Sequence, residues 1–330
     1  MPRPMPNAPQ SAVEPTPFHH PVLQEEVREL FAGCRAKRVV VDGTVGLGGH
    51  SAQLLADAGP QLELLVALDR DPEALAMARA RLSDPGGAAV LYHHASFAEI
   101  PRLLREEEIP AASFILLDLG VSTFQLKTPR RGFSFASDGP LDMRMDPTGG
   151  SSARELLERS SVAQLEGWLR DFGEVRHAGR IARALYERRS SLRTTSALSA
   201  AVLEALRIRR PPPGEIHPAT QVFQALRIAV NRELETLEAA LPALIEALEP
   251  GGRLAVISFH SLEDRRVKQA FDRASRDCVC PPKMPACGCG HRASVQLLFR
   301  GARQPGETEI AENPPSRSAR LRAVEKLPNS

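Results

Sequence analysis

Three carboxylates, each at the end of an apolar run, are the residues best suited to chemistry. Asp42 follows the run 39–41 and opens the glycine-rich segment DGTVGLGGH at 42–50, Asp69 ends the run 64–68, and Asp118 ends the run 114–117. Glycine lets a backbone approach a ligand closely, and an acid about twenty residues beyond such a loop can accept both hydroxyls of an adenosine ribose. The spacing predicts a cofactor that contains adenosine.

Two adenosine cofactors fit this pattern, S-adenosylmethionine (SAM) and NAD. The dinucleotide fingerprint expects Gly or Ala at position 51 after Gly46 and Gly48, and Ser51 stands there. SAM has a sulfonium cation and no pyrophosphate, so Asp42 is acceptable beside it, whereas NAD would place phosphates near that carboxylate. We therefore expect SAM, held by Asp42, Gly46, Gly48, Gly49 and Asp69, with an NAD-linked oxidoreductase as the alternative.

The surrounding pattern of elements indicates an α/β fold. Apolar runs at 39–41, 64–68, 89–92 and 114–117 alternate with helical patterns at 51–58, 72–82 and 100–107, which predicts four parallel strands. The next buried strand, Leu254–Ser258, comes more than a hundred residues later, after a helical stretch from Gln221 to Leu248. A single crossover needs a few tens of residues, so an insertion is expected.

The insertion carries helical periods at 153–158, 162–172, 176–188 and 196–208 and ends in Pro211-Pro212-Pro213-Gly214. A further helix around 262–274 and two strands at 295–299 and 321–324, antiparallel to each other, should complete the fold. We predict a Rossmann-like, class I SAM-dependent methyltransferase domain over 18–138 and 216–330. A small all-helical inserted domain would occupy 139–215, and the proline-rich residues 1–17 would form a disordered tail.

Composition narrows the function less than these patterns do. The chain has 330 residues, 42% hydrophobic and 25% charged, and no apolar stretch long enough for a membrane span, so we expect a cytoplasmic protein without membrane contact. The net charge of +2 is small, but residues 151–210 carry twelve Arg, no Lys and seven acids, a local excess of +5. This excess fits either phosphate binding or solvated helix faces.

Several longer segments make the chain similar to a known family. They are His19-His20-Pro21-Val22-Leu23, 42–51, Asp69-Arg70-Asp71, 117–122, 131–135, 139–146, His217-Pro218-Ala219-Thr220, 223–227, 258–265 and 317–322. The sequence closely resembles the bacterial 16S rRNA cytosine-N4 methyltransferases, the RsmH or MraW family, over most of its length. One departure is Pro315-Ser316 in the segment 313–317, where Arg-Ala is expected.

The resemblance implies a SAM-binding Rossmann-like domain interrupted by a helical domain, which agrees with the spacing argument. It implies that Gly48, Gly49 and His50 contact the amino-acid part of SAM and that Asp69 contacts the ribose. Three further residues would form the remainder of the pocket: Phe97, Asp118 and Gln125. The implied substrate is a cytidine in the decoding region of 16S rRNA, either in the small subunit or in a late assembly form, and no obligate protein partner is evident.

Methyl transfer to an exocyclic amine needs a positioned proton acceptor, because the amine lone pair is delocalised into the ring. Asp118 is the first candidate and Asp142 the second; Ser258 and His260 are expected to read the base edge. Other base-amine methyltransferases carry a Pro-Pro-aromatic motif after the fourth strand, and residues 118–122 replace it, so roles cannot be copied from them. Phe133 or Phe259 would stack on the flipped base. The expected phosphate contacts are Arg144, Arg227, Arg265, Arg320 and Arg322.

Four of the five cysteines lie close together in the sequence. Cys278, Cys280, Cys287 and Cys289, with His291 after them, could supply four thiolates, or three and an imidazole, to zinc. Their CxC pairs are tighter than usual zinc ligand spacing, and a flexible proline-rich loop is the alternative; we expect no obligatory metal. A non-catalytic RNA-binding assembly factor that kept the cofactor pocket also remains open, as does the oligomeric state.

Overall fold

A computed structural model describes residues 21–209, 216–281, 284 and 287–328. The predicted tail at 1–17 and the proline turn at 211–214 lie outside the described residues. Within them, no helix is long and apolar enough to cross a membrane.

A seven-stranded, mostly parallel sheet forms the centre, in the order β3-β2-β1-β4-β5-β7-β6. The strands are β1 Val39–Asp42, β2 Leu64–Asp69, β3 Ala89–His94, β4 Ala112–Asp118, β5 Leu248–Ser258, β6 Val295–Leu297 and β7 Arg320–Lys326. The first five pair in parallel, whereas β7 pairs antiparallel with both β5 and β6. The predicted α/β, Rossmann-like fold and the antiparallel final pair are therefore confirmed.

Helices cover both faces of the sheet. The helices that lead up to or connect the strands are α1 Gln24–Ala32, α2 Gly49–Ala58, α3 Pro72–Arg81, α4 Ile100–Glu106, α11 Glu233–Glu246 and α12 Ser261–Ala274. Buried residues of α1 to α3 pack on one face, and those of α4, α11 and α12 pack on the other. Neighbouring strand residues such as Val40 and Val41 belong to opposite packing clusters, as the alternation of side chains along a strand requires.

A helical layer separates β4 from β5 in the sequence. Its helices are α5 Thr123–Lys127, α6 Ala153–Arg159, α7 Val162–Asp171, α8 Ala178–Arg188, α9 Thr195–Leu206 and α10 Pro218–Asn231. Helices α6 to α10 share one apolar cluster, which includes Leu157, Leu169, Leu185, Val202 and Phe223. Because α10 belongs to this cluster, the helical core continues beyond residue 215. The division into two domains at 139 and 215 stays a prediction.

The long helix predicted from Gln221 to Leu248 is two helices in the structure. Arg232 adopts a left-handed conformation (φ 50°) between α10 and α11. The Asn231 side chain fixes the end of α10, because its amide donates to the carbonyl of Met143 and its oxygen accepts from Met145. The apolar periodicity continues through this point, so the break leaves no trace in the hydrophobic pattern.

The order of the strands determines where a ligand can bind. From β1 the chain proceeds outward to β2 and β3 and then returns to β4 on the other side of β1. The crevice at the carboxyl ends of β1 and β4 is the switch point at which open α/β sheets bind ligands. Asp42, Asp69 and Asp118 end β1, β2 and β4, so all three acids lie at this edge.

Candidate active site

The glycine-rich loop is held in place by the strands on either side of β1. Gly43 donates to the carbonyl of Leu116 on β4, and Val45 donates to the carbonyl of Leu68 on β2. Gly46 (φ 52°) and Gly48 (φ 76°) adopt left-handed backbone conformations that residues with a Cβ rarely accept. Gly48 immediately precedes α2 and donates its own N–H to the carbonyl of Val45 at 2.7 Å, whereas Gly49 and His50, in the first turn of α2, line the crevice.

Asp42 and Asp69 shape this loop. Asp42 is buried and accepts from the Ser51 hydroxyl (2.7 Å) and the Thr44 N–H (3.2 Å). Asp69 accepts from the Gly46 N–H and the Asp71 N–H, both at 2.8 Å. Each oxygen of Asp69 keeps a second lone pair for a ligand hydroxyl. Burial raises the pKa of both carboxyl groups to about 6.

Asp118 is the least satisfied acid at the edge. Its Oδ1 is buried without a hydrogen-bond partner among the described residues, and its backbone N–H donates to the Thr44 hydroxyl at 2.6 Å. Although 28% of the side chain is exposed at the crevice, protein encloses the rest. This burial, reinforced by the charges of Asp42 and Glu263, raises the pKa of Asp118 to about 8.

His50 approaches Asp118 from the first turn of α2. Its Nε2 lies 3.8 Å from Asp118 Oδ2 and has no hydrogen-bond partner in the described chain. Burial lowers the pKa of His50 to about 4, so the imidazole is neutral at physiological pH. The site thus pairs a neutral imidazole with a carboxyl group that holds its proton unusually tightly.

These residues surround a cavity of about 370 Å³, within the range of small-molecule sites. Ten of the predicted site residues line it: Asp42, Gly46, Gly49, His50, Asp69, Phe97, Asp118, Gln125, Arg227 and Phe259. Gly48 is adjacent, in the loop itself. Most of the residues predicted to bind the cofactor therefore lie around a single cavity.

The remaining predicted residues lie off the cavity wall. Asp142 is held by Arg144 through both carboxylate oxygens (2.8 Å each), and Ser258 is buried with its hydroxyl directed to the Arg320 carbonyl. Phe133 belongs to the apolar cluster of the helical layer. Arg265 is exposed on α12, and Arg320 and Arg322 both pair with Asp264. The structure does not bring this second group of residues together at the cavity.

His260 caps a helix. Its Nδ1 accepts from the Glu263 N–H at the start of α12, and Glu263 Oε2 accepts from the backbone N–H groups of Phe259 and His260. Burial alone would raise the pKa of Glu263, but His260 and Arg227 hold it below its usual value. Glu263 is therefore an ionised acid on the cavity wall, and sequence reasoning gave it no role.

A buried ion pair ties the helical layer to the cofactor edge. Arg131 Nη1 lies 2.6 Å from Asp71 Oδ2, and both side chains are almost fully buried. Gln125 donates to the same Asp71 oxygen at 2.8 Å, while Arg131 also donates to the carbonyls of Arg144 and Met145. The Gln125 amide is thus fixed by Asp71 as it faces the cavity. Sequence reasoning missed this pair because its members are sixty residues apart.

Asn313 is a further site residue that sequence reasoning did not identify. It lines the cavity, is only 7% exposed, and has no hydrogen-bond partner for either amide atom among the described residues. A buried amide without partners is costly unless something occupies the space beside it. The available signal was its position before the unusual Pro-Pro-Ser sequence.

Comparison with known proteins identifies the family. The model of the MraW methylase family matches residues 16–327. The chain belongs to the MraW methylase family. Relatives named ribosomal RNA small subunit methyltransferase H include one from Syntrophotalea carbinolica, 48% identical over 94% of this chain and 98% of its own, and one from Halorhodospira halophila, 50% identical over 95% and 96%.

Among solved structures, an rRNA methylase from Streptococcus thermophilus is similar to this MraW family member at 12% identity and a TM-score of 0.41, covering 92% of this chain and 95% of that one. The match to the family model spans all of the segments, from His19 to Arg322, on which the resemblance in the sequence was based. As a methylase, the chain is an enzyme whose site must bring a methyl donor and an acceptor together.

Proposed function

We propose that this chain is a SAM-dependent methyltransferase that methylates the N4 amine of a cytidine in small-subunit rRNA. One observation carries the proposal beyond the family: Asp118, whose pKa is raised and whose Oδ1 has no partner in the part of the chain that the structure describes, lies where the glycine loop meets the cavity. Perturbed pKa values in a cavity are characteristic of catalytic groups.

The cavity fits SAM. Backbone N–H groups in the first turn of α2, at Gly49 and His50, can receive the carboxylate of the methionine part, and Asp69 has lone pairs for the ribose hydroxyls. Phe97 supplies an apolar surface for the adenine ring. When bound, SAM supplies an activated methyl group on a sulfonium cation. The carboxylates of Asp42 and Asp69 favour such a cation, and Asp118 does so once it is ionised.

The same acids argue against NAD. A pyrophosphate at this edge would meet the carboxylates of Asp42 and Asp69. The nearby Arg227 is already engaged by Glu233 at 2.9 and 3.0 Å, so it is not free to neutralise a phosphate. Negative charges placed close together disfavour an anionic ligand. The cavity therefore supports methyl transfer over hydride transfer.

Asp118 is our candidate proton acceptor. An ionised Asp118 can accept a hydrogen bond from the target amine, and this hydrogen bond favours the localised lone pair on the nitrogen. The amine proton would pass to Asp118 Oδ1, which has no hydrogen-bond partner among the described residues, as the N–C bond forms and the bond between the methyl group and the donor sulfur breaks. Neutral His50 beside it adds no positive charge and can accept a hydrogen bond at Nε2.

Asn313 and Phe259 are our candidates for holding the base. An amide offers both a donor and an acceptor, and the Watson–Crick edge of cytosine offers an acceptor ring nitrogen beside the donor amine. Phe259 lines the cavity and presents an aromatic ring on which a flipped base can stack. Asn313 would select cytosine, and Phe259 would keep it out of its helix.

The exposed arginines are our candidates for phosphate contact. Arg265 is exposed, and Arg320 is exposed although it also lies 3.3 Å from Asp264. Arg144 and Arg227 are more enclosed and are held in ion pairs with Asp142 and Glu233. We assign RNA recognition to the inserted helices, with the assembled small subunit or a late precursor as the substrate and the cytoplasm as the location. The excess of arginine in residues 151–210 supports this assignment, although several of these arginines pair with neighbouring acids, as Arg154 does with Glu158.

The decisive experiment offers labelled SAM together with isolated small subunits, late assembly particles or naked 16S rRNA, followed by nucleoside analysis of the product. We expect N4-methylcytidine from the particles and little from naked RNA. Label in any other nucleoside would overturn the cytosine assignment. RNA binding with no methyl transfer to any substrate would instead support a non-catalytic assembly factor.

A further inference from the structure

The four cysteines of the segment after α12 converge in space. Cys278 and Cys280 form one CxC pair, Cys287 and Cys289 form the other, and ligand atoms of all four lie within 4.8 Å of one another. The Sγ atoms of Cys287 and Cys289 are 3.6 Å apart, and those of Cys278 and Cys289 are 3.9 Å apart. Local pairing within each CxC unit does not explain why two units separated by six residues meet.

These separations match a tetrahedral metal site. With Zn–S bonds of about 2.3 Å, the edge of a ZnS₄ tetrahedron is about 3.8 Å. A disulfide requires sulfur atoms about 2.05 Å apart, so the observed distances describe free thiols around a common centre. An iron–sulfur cluster places its thiolates around a larger cage, which makes a single ion the better fit.

We propose that Cys278, Cys280, Cys287 and Cys289 bind one Zn²⁺ ion in a structural four-thiolate site. The imidazole of His291 is outside the ligand set, because the ligand atoms that lie within 4.8 Å of one another are those of the four cysteines and do not include a nitrogen of His291. This resolves the choice between four thiolates and three with an imidazole. Four protein ligands leave no position for water, so the ion stabilises structure and does not activate a nucleophile.

The four thiols are accessible to an incoming ion. Cys278, Cys287 and Cys289 are exposed and Cys280 is partly exposed, so none of the proposed ligands has to be uncovered before a metal can bind.

The ion would link two ends of one connection. Cys278 and Cys280 follow α12 closely, whereas Cys287 and Cys289 lie a few residues before β6. The four thiols therefore close the chain between a helix packed on the sheet and an edge strand. None of them lines the cofactor cavity, so the metal site is separate from the methyl-transfer site.

Metal analysis of protein purified without oxygen tests the proposal. We expect one zinc ion per chain in the full-length protein, and a loss of most of it in Cys278→Ser and in Cys287→Ser, one variant from each pair. Cys34→Ala is the matched control, because Cys34 is buried by α1, away from the four ligands, and its variant should keep its zinc. Replacing zinc with Co²⁺ should give the visible bands of tetrahedral thiolate coordination in the parent and in Cys34→Ala alone.

Thiol titration provides a readout independent of folding. Without denaturant, the four clustered thiols of the zinc form should react slowly and should become reactive when a chelator is added. SAM affinity should change less than about twofold on metal removal, which separates failure of this site from failure of the methyltransferase assignment. Two results would overturn the proposal: less than one-tenth equivalent of zinc in reduced protein resupplied with metal, or a full equivalent retained in Cys278→Ser.

Discussion

Asp118 Oδ2 lies 3.8 Å from His50 Nε2, although the two residues come from different elements, β4 and α2. Neither Asp118 Oδ1 nor His50 Nε2 has a hydrogen-bond partner in the described chain. Burial raises the pKa of the acid to about 8 and lowers that of the imidazole to about 4. Both groups are therefore neutral at pH 7 in the free enzyme, and ionisation of Asp118 becomes the step that a bound cation can promote.

This relationship predicts the pH dependence of the reaction. Asp118 is protonated below its pKa and accepts a proton only above it, so kcat/KM should rise about tenfold per pH unit up to about pH 8 and then level off. A bound sulfonium cation favours the ionised form of Asp118. The rise of the single-turnover rate with pH, measured with saturating SAM, should therefore occur at lower pH than the rise of kcat/KM. A kcat/KM that stays constant between pH 6 and 9 would show that Asp118 is not the base.

Removing the carboxylate tests the same residue directly. Asp118→Ala should lose at least about 100-fold in single-turnover rate, the usual size of an acid–base contribution, with an unchanged circular dichroism spectrum. Asp118→Asn should lose a similar factor, and its rate should no longer rise with pH. Asp142→Asn is the informative comparison, because Asp142 lies off the cavity wall, paired with Arg144. A larger loss in Asp142→Asn than in Asp118→Asn would reverse the ranking of the two acids.

SAM binding should depend on the Asp69 carboxylate. Each oxygen of Asp69 accepts from a backbone N–H group. In Asp69→Asn the new NH₂ group would face one of these N–H donors, and the negative charge at the ribose position would be lost. We expect SAM affinity to fall by about 10- to 100-fold in calorimetry, equivalent to about 1.4–2.8 kcal/mol. Asp171→Asn, in an exposed pair on α7, is the control and should bind SAM like the parent. Equal affinity in Asp69→Asn and the parent would contradict the assignment.

The free enzyme should also lose SAM affinity in acid. The pKa values of Asp42 and Asp69 are raised to about 6, so both acids gain protons as the pH falls from 7 to 5 and lose their attraction for a cation. Calorimetry should show SAM affinity rising as the pH is raised from 5 to 7, with proton release on binding near pH 6. Binding without proton release in buffers of different ionisation enthalpy would show that these groups do not sense the cofactor.

Local sequence patterns predicted much of the fold but only part of the site. Strand runs such as 64–68, bounded by Asp69, identify both the strand and the acid at its end. The break at Arg232 could not be predicted, because the amide of Asn231 creates it through contacts with Met143 and Met145. The pairing of Asp71 with Arg131 likewise depends on residues distant in sequence.

That buried pair predicts a difference between two adjacent arginines. Arg131→Met would leave the Asp71 carboxylate buried without its cation, at a cost of about 3–5 kcal/mol in the free energy of unfolding.

Arg130→Met is the matched control for this prediction. Arg130 is 62% exposed in its pair with Glu73, and such surface pairs contribute about 0–1 kcal/mol. Urea unfolding followed by circular dichroism measures both variants. Because Asp71 also holds Gln125 at the cavity, Arg131→Met should weaken SAM binding as well, whereas Arg130→Met should not. Equal stabilities of the two variants would show that the Arg131 pair does not join the helical layer to the cofactor edge.

Asn313 gives the sharpest test of base recognition. Its amide lines the cavity, and neither polar atom has a hydrogen-bond partner within the described ranges. Asn313→Ala should therefore reduce kcat/KM for the RNA substrate by about 10- to 100-fold, as expected when a base loses one or two hydrogen bonds. SAM affinity should remain within about threefold of the parent. Asn313→Asp keeps the acceptor, loses the donor and adds charge, so it should recover little. If Asn313→Ala instead weakened SAM binding and left the RNA dependence unchanged, the amide would belong to the cofactor and not to the base.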